Sequence, residues 1–121
     1  MRVLLADDHS IVRRGLRSLL EEAGLSVVAE AADGLDAVRL CEEHRPDLLI
    51  LDIAMPKLNG IEVATRAQKL DRPPGVIILS MHADESYIIR ALAAGARAYL
   101  LKSATDEDLL PAVRAVASGS G

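Results

Sequence analysis

Residues 48–52 read Leu-Leu-Ile-Leu-Asp, a continuous apolar run that ends in a carboxylate. Residues 3–6 and 76–79 form two more runs of this kind, a weaker run at 27–29 is bounded by Glu30, and a fifth occupies 98–101. Continuous apolar character is typical of strands in a parallel sheet that helices cover on both faces. We therefore expect five strands, with residues 27–29 at an edge of the sheet.

The segments between these runs repeat their apolar residues with the period of a helix. Helices are expected at 10–23, 35–44, from 59–60 to before Pro73, 87–95 and 105–116. In the first helix, Ser10 is the expected N-cap and Gly24 the left-handed C-terminal cap. The residues expected to face inward are, in the first helix, Ile11, Val12, Leu16, Leu19, Leu20 and Ala23, and, in the fourth, Tyr87, Ile88, Ala91 and Leu92.

The fifth helix contains a local conflict. Thr105 and Asp108 form a weak capping box, but Pro111 follows in the second turn. Because proline cannot donate a backbone hydrogen bond to residue 107, it should bend or delay this helix. Residues 118–121 read as a linker or a chain end, so the expected domain is 1–117.

Five strand–helix units in 121 residues predict one α/β domain with a doubly wound parallel sheet. Chains of this size commonly adopt the strand order 2-1-3-4-5, the flavodoxin-like arrangement, with a switch point between strands 1 and 3. Ligands of such sheets bind at the carboxyl ends of the strands, beside that switch point. Functional residues are therefore expected directly after the strands.

Composition excludes several classes of function. The net charge is −4, so a basic nucleic-acid-binding stripe is not expected, and Tyr87 and Tyr99 are the only aromatic residues. The single cysteine, Cys41, cannot form an internal disulfide or a cysteine-based zinc site. No membrane-spanning run or signal peptide is recognisable, so a cytoplasmic domain without membrane contact is expected. Three arginines of the first helix are interpreted as a solvated face, with a docking surface as the alternative: Arg13, Arg14 and Arg17.

Chemically distinctive residues follow four of the runs: Asp7 and Asp8, Asp52, Ser80 and Lys102. Crowded carboxylates repel one another unless a cation is present, and a set of hard oxygen ligands suits Mg²⁺. His9 alone is a thin basis for a transition-metal site. Taken singly, the two neighbouring acids could cap a loop, and the lysine could be a solvated charge.

These groups together indicate phosphoryl transfer to a carboxylate, with Mg²⁺ and Lys102 neutralising the phosphoryl oxygens. Ser80 could donate a hydrogen bond to one of those oxygens. No glycine-rich phosphate-binding loop is present, so the phosphoryl donor must come from elsewhere.

The chain resembles the receiver domains of two-component response regulators. The resemblance rests on Asp7-Asp8, on residues 51–56 with Gly60, on Ser80, and on residues 98–102. Residues 6–10, Arg13 and residues 15–17 and 95–99 are similar to the NarL/FixJ (LuxR-type) subfamily in particular. The match covers essentially the whole chain.

The resemblance implies a role for each matching position. Asp52 would accept the phosphoryl group, and Lys102 would pair with it. Asp8 would bind Mg²⁺ directly, Asp7 largely through water, and the carbonyl of Ala54 would be a further ligand beside Asp52. Ser80 and Tyr99 would be the switch residues, and Ala54 and His82 match positions that tune loss of the phosphoryl group.

The resemblance also implies partners and an output. A sensor histidine kinase would supply the phosphoryl group, and phosphorylation could drive homodimerisation. Transcription would be controlled through a C-terminal helix-turn-helix domain that this chain lacks, so DNA contact is not expected from these residues. The alternatives are a stand-alone receiver or a phosphorelay shuttle.

Two further classes are less well supported. A Mg²⁺-dependent phosphatase with an aspartyl nucleophile would need an acid where Ala54 stands, so we expect a switch and not an enzyme. A flavodoxin-type flavin carrier would need a neutral loop where Asp7 and Asp8 would repel the cofactor phosphate.

Overall fold

The computed structural model describes residues 1–119 and contains one five-stranded parallel sheet. Its strands lie in the order β2-β1-β3-β4-β5, which confirms the predicted topology. The weaker second run forms an edge strand, as expected, although it extends through Glu30. The strand bounds are Arg2–Ala6 for β1, Ser26–Ala31 for β2, Leu48–Asp52 for β3, Gly75–Ser80 for β4 and Ala98–Leu101 for β5.

Helices cover both faces of the sheet. They are α1 Ser10–Glu22, α2 Gly34–His44, α3 Gly60–Ala67, α4 Glu85–Ala93 and α5 Thr105–Ala117, and a 3₁₀ turn, Lys102–Ala104, precedes α5. Successive residues of the central strands point to opposite faces, so each strand contributes to two apolar clusters. Leu49 and Leu51 pack in the cluster with α2 and α3, whereas Leu48 and Ile50 pack in the cluster with α1 and α5. Burial on both faces explains why these strands do not alternate.

Some local predictions for α1 and α4 were wrong. Ser10 is the first residue of α1, and His9 precedes it without a side-chain cap. Ile11 is 82% exposed because the helix packs on the sheet through Leu16 and Leu20, one and two turns further on. In α4 only Ala91 is buried, whereas Tyr87 and Leu92 are largely exposed. A short helix over a sheet edge buries a narrower stripe than its apolar residues suggest.

Pro111 was predicted to bend or delay α5, and it does not delay the helix. The helix begins at Thr105 and continues past Pro111, whose position is exposed, so water can solvate the carbonyl that loses its donor. The capping box with Asp108 does not form, since Thr105 already belongs to the helix and its hydroxyl donates to the carbonyl of Lys102 at 3.1 Å.

The end of α1 agrees with the sequence-based prediction, and the end of α5 lies close to the expected linker. Gly24 has a φ of +89°, the left-handed conformation expected after α1. Ser118 caps the end of α5, and Ser120 and Gly121 of the expected linker lie outside the described residues. Within residues 1–119, no helix has both the length and the apolar character that a membrane crossing requires.

Candidate functional site

The loop after β1 supplies two carboxylates. Asp7 is fully buried, and its Oδ1 accepts a 2.8 Å hydrogen bond from the amide of His9 and lies 3.2 Å from the His9 Nδ1. Asp8 is more accessible, with 29% of its side chain exposed. The backbone amide of Asp7 donates to the carbonyl of Ala31 at 3.0 Å, so the edge strand β2 helps to fix where this loop begins.

Asp52 ends β3 directly beside this loop. Ala6 pairs with Leu51 across the sheet, so Asp7 and Asp52 are the next residues on two neighbouring strands. The side chain of Asp52 is 3% exposed, and its Oδ1 accepts a 3.1 Å hydrogen bond from the amide of Ala54. β3 lies inside the sheet and is paired on both sides as far as Leu51, and Asp52 itself pairs with Leu79 of β4.

Lys102 reaches these acids from the far side of the site. It begins the 3₁₀ turn after β5, with β4 between its strand and β3. Its Nζ donates to the Asp52 Oδ2 at 3.0 Å and lies 2.9 Å from the Asp7 Oδ2. With 8% of its side chain exposed, it is a buried cation that bridges two buried carboxylates.

Burial and charge shift the ionisation of these groups. Burial raises the pKa of Asp52 above its usual value, and the nearby charge of Asp7 adds to this, although Lys102 and the Ala54 amide oppose it. Burial alone would lower the pKa of Lys102, but its contacts with Asp7 and Asp52 outweigh burial and raise it. The lysine therefore stays protonated, and one cation faces three carboxylates.

The acidic cluster fits a divalent cation. One ligand atom each from Asp7, Asp8, His9 and Asp52 lies within 4.8 Å of the others. The Oδ2 of Asp7 is buried with the Lys102 Nζ 2.9 Å away, and no other donor among residues 1–119 reaches it, so it keeps a lone pair that a cation could use. Carboxylate oxygens are the ligands that Mg²⁺ prefers. The imidazole of His9 was not among the expected ligands, and only the folded loop shows how near it lies.

Ser80 and Tyr99 share one hydrogen-bond acceptor. Ser80 ends β4, is buried, and donates from its Oγ to the carbonyl of His82 at 3.0 Å. Tyr99, half-buried on β5, donates from its hydroxyl to the same carbonyl at 3.1 Å. Residues of β4 and β5 thus both anchor the loop after β4. They do so through the backbone carbonyl of His82, a contact that the sequence does not predict.

Arg13 was interpreted as part of a solvated helix face, and this was wrong. Its Nη1 donates to the carbonyl of Asp7 at 2.6 Å, and its Nε pairs with Glu30 on β2 at 2.8 Å. Arg17 pairs with the same Glu30 carboxylate at 2.5 Å. Hydrogen bonds from both arginines lower the pKa of Glu30, although its partial burial opposes the shift. Only the pairing of β2 with β1 brings Glu30 to α1.

These elements enclose a cavity of about 400 Å³. Asp52, Ser80 and Lys102 line it together with Ala54, which lies on the loop after Asp52. A buried carboxylate beside a cation, in a cavity of small-molecule size, can act as a nucleophile toward an anionic substrate.

Known proteins provide an independent comparison. Residues 3–114 match the family described as the response regulator receiver domain. The transcriptional regulatory protein DegU of Brevibacillus brevis is 43% identical over 122 residues, which cover 98% of this chain and 51% of DegU.

Two solved structures are similar over nearly the whole chain. The two-component response regulator of the LuxR family from Aurantimonas sp. SI85-9A1 has a TM-score of 0.92 and 39% identity, covering 98% of this chain and 85% of its own. The DNA-binding response regulator of the LuxR family from Staphylococcus aureus has a TM-score of 0.89 and 31% identity, covering 95% and 97%. The chain spans about half the length of the curated relatives it matches.

Proposed function

The chain belongs to the response regulator receiver domain family, and from this we propose that it is a phosphorylation switch in which Asp52 is the phosphoacceptor. The family is one of signalling domains and not of conventional enzymes. The assignment of Asp52 rests on its 3.0 Å contact with Lys102, because both residues line a cavity that a donor could enter.

The contacts of Asp52 suit the role of a nucleophile. The Ala54 amide and Lys102 each engage one oxygen of Asp52, which orients the carboxylate while leaving lone pairs free. The carboxylate must be ionised to attack, and Lys102 favours that form against the effect of burial. In the product, the Lys102 ammonium would pair with a phosphoryl oxygen, a charge-assisted contact.

Mg²⁺ is the cofactor that suits the acidic cluster. Asp8, Asp52 and the carbonyl of Ala54 would hold it directly, and Asp7 largely through water. When bound, the ion would neutralise phosphoryl oxygens in the transition state. Asp7 also contacts the Lys102 Nζ at 2.9 Å and accepts a 2.8 Å hydrogen bond from the His9 amide, so it positions groups on both sides of the cluster.

The switch would work through the carbonyl of His82. Ser80 and Tyr99 both donate to this carbonyl, and the Ser80 Oγ also accepts from the His82 amide at 3.1 Å. A Ser80 hydroxyl that turns to a phosphoryl oxygen would give up its bonds with His82 and leave the one from Tyr99. Tyr99 would then be free to change its position, and the β4–α4 loop with it. A local change of charge thereby biases a larger element.

The donor and the output are part of the same proposal. A sensor histidine kinase would phosphorylate Asp52 in the cytoplasm. A homodimer formed on phosphorylation would control transcription through a DNA-binding domain outside this chain, in keeping with the names of its relatives. A stand-alone receiver or a phosphorelay shuttle is the alternative. A phosphatase is disfavoured because Ala54 offers no proton donor.

Mass spectrometry tests the assignment of Asp52. The protein is incubated with Mg²⁺ and acetyl phosphate, and the intact mass is recorded for the parent chain, for Asp52→Asn and for Asp71→Asn, an exposed carboxylate outside the site. We expect one phosphoryl adduct on the parent and on Asp71→Asn and none on Asp52→Asn. An adduct that survives Asp52→Asn would reject the assignment.

A further inference from the structure

The cavity beside Asp52 extends well beyond the groups that would hold a phosphoryl group. Its volume of about 400 Å³ is that of a small-molecule site. Asp52, Ser80 and Lys102 form one part of the lining, and α4 contributes Tyr87 and Arg90 to another. A donor consists of a phosphoryl group and a leaving group, so the second part of the cavity can contact the leaving group.

Arg90 is a second cation in this cavity, and it differs from Lys102 in its ion pairs. Lys102 is already paired with Asp7 and Asp52. Arg90 has no hydrogen-bonded or ion-paired carboxylate among residues 1–119, and its guanidinium lies 5.7 Å from the centre of the Tyr87 ring. The ring contact holds a guanidinium without a carboxylate partner at the cavity wall, and such a group pairs readily with a planar carboxylate.

We propose that Arg90, held against Tyr87, forms a subsite for the carboxylate leaving group of small acyl phosphates. The proposal rests on Asp52 as the phosphoacceptor. It makes Arg90 a residue that selects among phosphoryl donors by the charge of the group that departs.

The chemistry of two donors separates the effect on the leaving group from general attraction of phosphate. When Asp52 attacks acetyl phosphate, the bond from phosphorus to the acyl oxygen breaks, and its electron pair leaves with acetate as a full negative charge. With phosphoramidate, the bond from phosphorus to nitrogen breaks, and the already protonated nitrogen leaves as neutral ammonia. A guanidinium beside the leaving group favours the first reaction and not the second.

A purely structural role for Arg90 predicts something different. Arg90 lies in the last turn of α4, where a positive charge stabilises the helix dipole. If that were its only role, its replacement would lower the melting temperature and leave the preference between donors unchanged.

The test compares rates of phosphorylation by acetyl phosphate and by phosphoramidate in the presence of Mg²⁺. The variants are Arg90→Gln, Arg90→Lys and the control Arg97→Gln, which removes the same charge. Arg97 lies just before β5, at the amino ends of the strands, whereas the site lies at their carboxyl ends. We expect Arg90→Gln to lower the acetyl phosphate rate roughly three- to tenfold relative to the phosphoramidate rate. Arg90→Lys keeps the charge but not the planar guanidinium and should retain part of the preference, and Arg97→Gln should retain all of it.

A binding measurement provides a readout that does not depend on turnover. Acetylphosphonate is a stable probe because its acyl group is joined to phosphorus through carbon, and its carbonyl oxygen could contact Arg90. Inorganic phosphate has no acyl group and serves as the control. NMR titration with inorganic phosphate should give the same affinity for the parent and Arg90→Gln. Acetylphosphonate should shift the amide signals of residues 87–90 in the parent and less so in Arg90→Gln.

The outcomes distinguish failure of this inference from failure of the proposed function. If Arg90→Gln slows both donors equally, or neither, the leaving-group subsite is rejected while Asp52 remains the acceptor. If the parent accepts phosphoryl from neither donor, the proposed function itself fails.

Discussion

Arg13 on α1 donates a 2.6 Å hydrogen bond from its guanidinium to the backbone carbonyl of Asp7. The same guanidinium is anchored by Glu30 on the edge strand, so three elements meet at the first residue of the acidic loop. Among residues 1–119, the carboxylate of Asp8 makes one polar contact, with His9 at 3.2 Å, so its position depends on the backbone that Arg13 fixes.

Arg13→Gln should weaken binding of Mg²⁺ about tenfold, the usual cost of disturbing groups that orient metal ligands. A weaker affinity would identify a positioning role for Arg13, because loss of a nearby positive charge by itself would strengthen cation binding. Calorimetric titration with Mg²⁺ measures the affinity, and Arg14→Gln, an exposed neighbour on α1, supplies the same charge change. Equal or tighter binding by Arg13→Gln would show that Arg13 does not position the loop.

Lys102→Met should lower the free energy of unfolding by about 2–4 kcal/mol at neutral pH without divalent cations, because it leaves two buried carboxylates without a counter-ion. Saturating Mg²⁺ should recover part of this loss by binding the same carboxylates. Urea denaturation with and without Mg²⁺ measures both effects. Lys69→Met, at an exposed loop position, is the control and should change stability by less than about 0.5 kcal/mol.

Glu30→Gln should give a pH-dependent loss of stability. Because Arg13 and Arg17 lower the pKa of Glu30 below 4.5, the folded state favours the ionised carboxylate. Its contribution, about 1 kcal/mol given the partial exposure of Arg17, is fully present above the unfolded pKa and disappears as the pH falls through the lower folded value.

Denaturation curves of the parent and Glu30→Gln should therefore differ most at neutral pH and converge below pH 4.5. Glu22→Gln, at the exposed end of α1, is the charge-matched control. A difference that stays constant down to the lowest pH would mean that the ion pairs with Glu30 add nothing to stability.

Gly60→Ala should destabilise the protein by about 1–3 kcal/mol, because a Cβ at this position would lie 2.6 Å from the carbonyl oxygen of Asp52. Gly15→Ala should instead stabilise it by about 0.5–1 kcal/mol, since Gly15 lies inside α1 with nothing within 4 Å of the added atom. Thermal unfolding of the two variants compares the same chemical change in two environments. Similar melting temperatures for both would contradict the close packing behind Asp52.

Much of the fold and part of the site followed from local pattern. Continuous apolar runs predicted the strands, their number and size predicted the topology, and the residues after the runs predicted which side chains would gather at one edge. Errors arose where a helix buries a narrower stripe than its apolar residues suggest, as with Ile11 and Leu92. The period of a helix shows that a face is apolar, but the sheet beneath it decides how wide a stripe is buried.

The sequence by itself determined the sheet and the carboxylate, hydroxyl and ammonium groups at its edge, because strand ends are properties of short segments. Tertiary structure alone decided what these groups touch. Lys102 lies 50 residues from Asp52, and Glu30 meets Arg13 only because β2 pairs with β1. Such contacts depend on the path of the whole chain. The carbonyl of His82, to which Ser80 and Tyr99 both donate, is a backbone group, and its position cannot be predicted from the type of any residue.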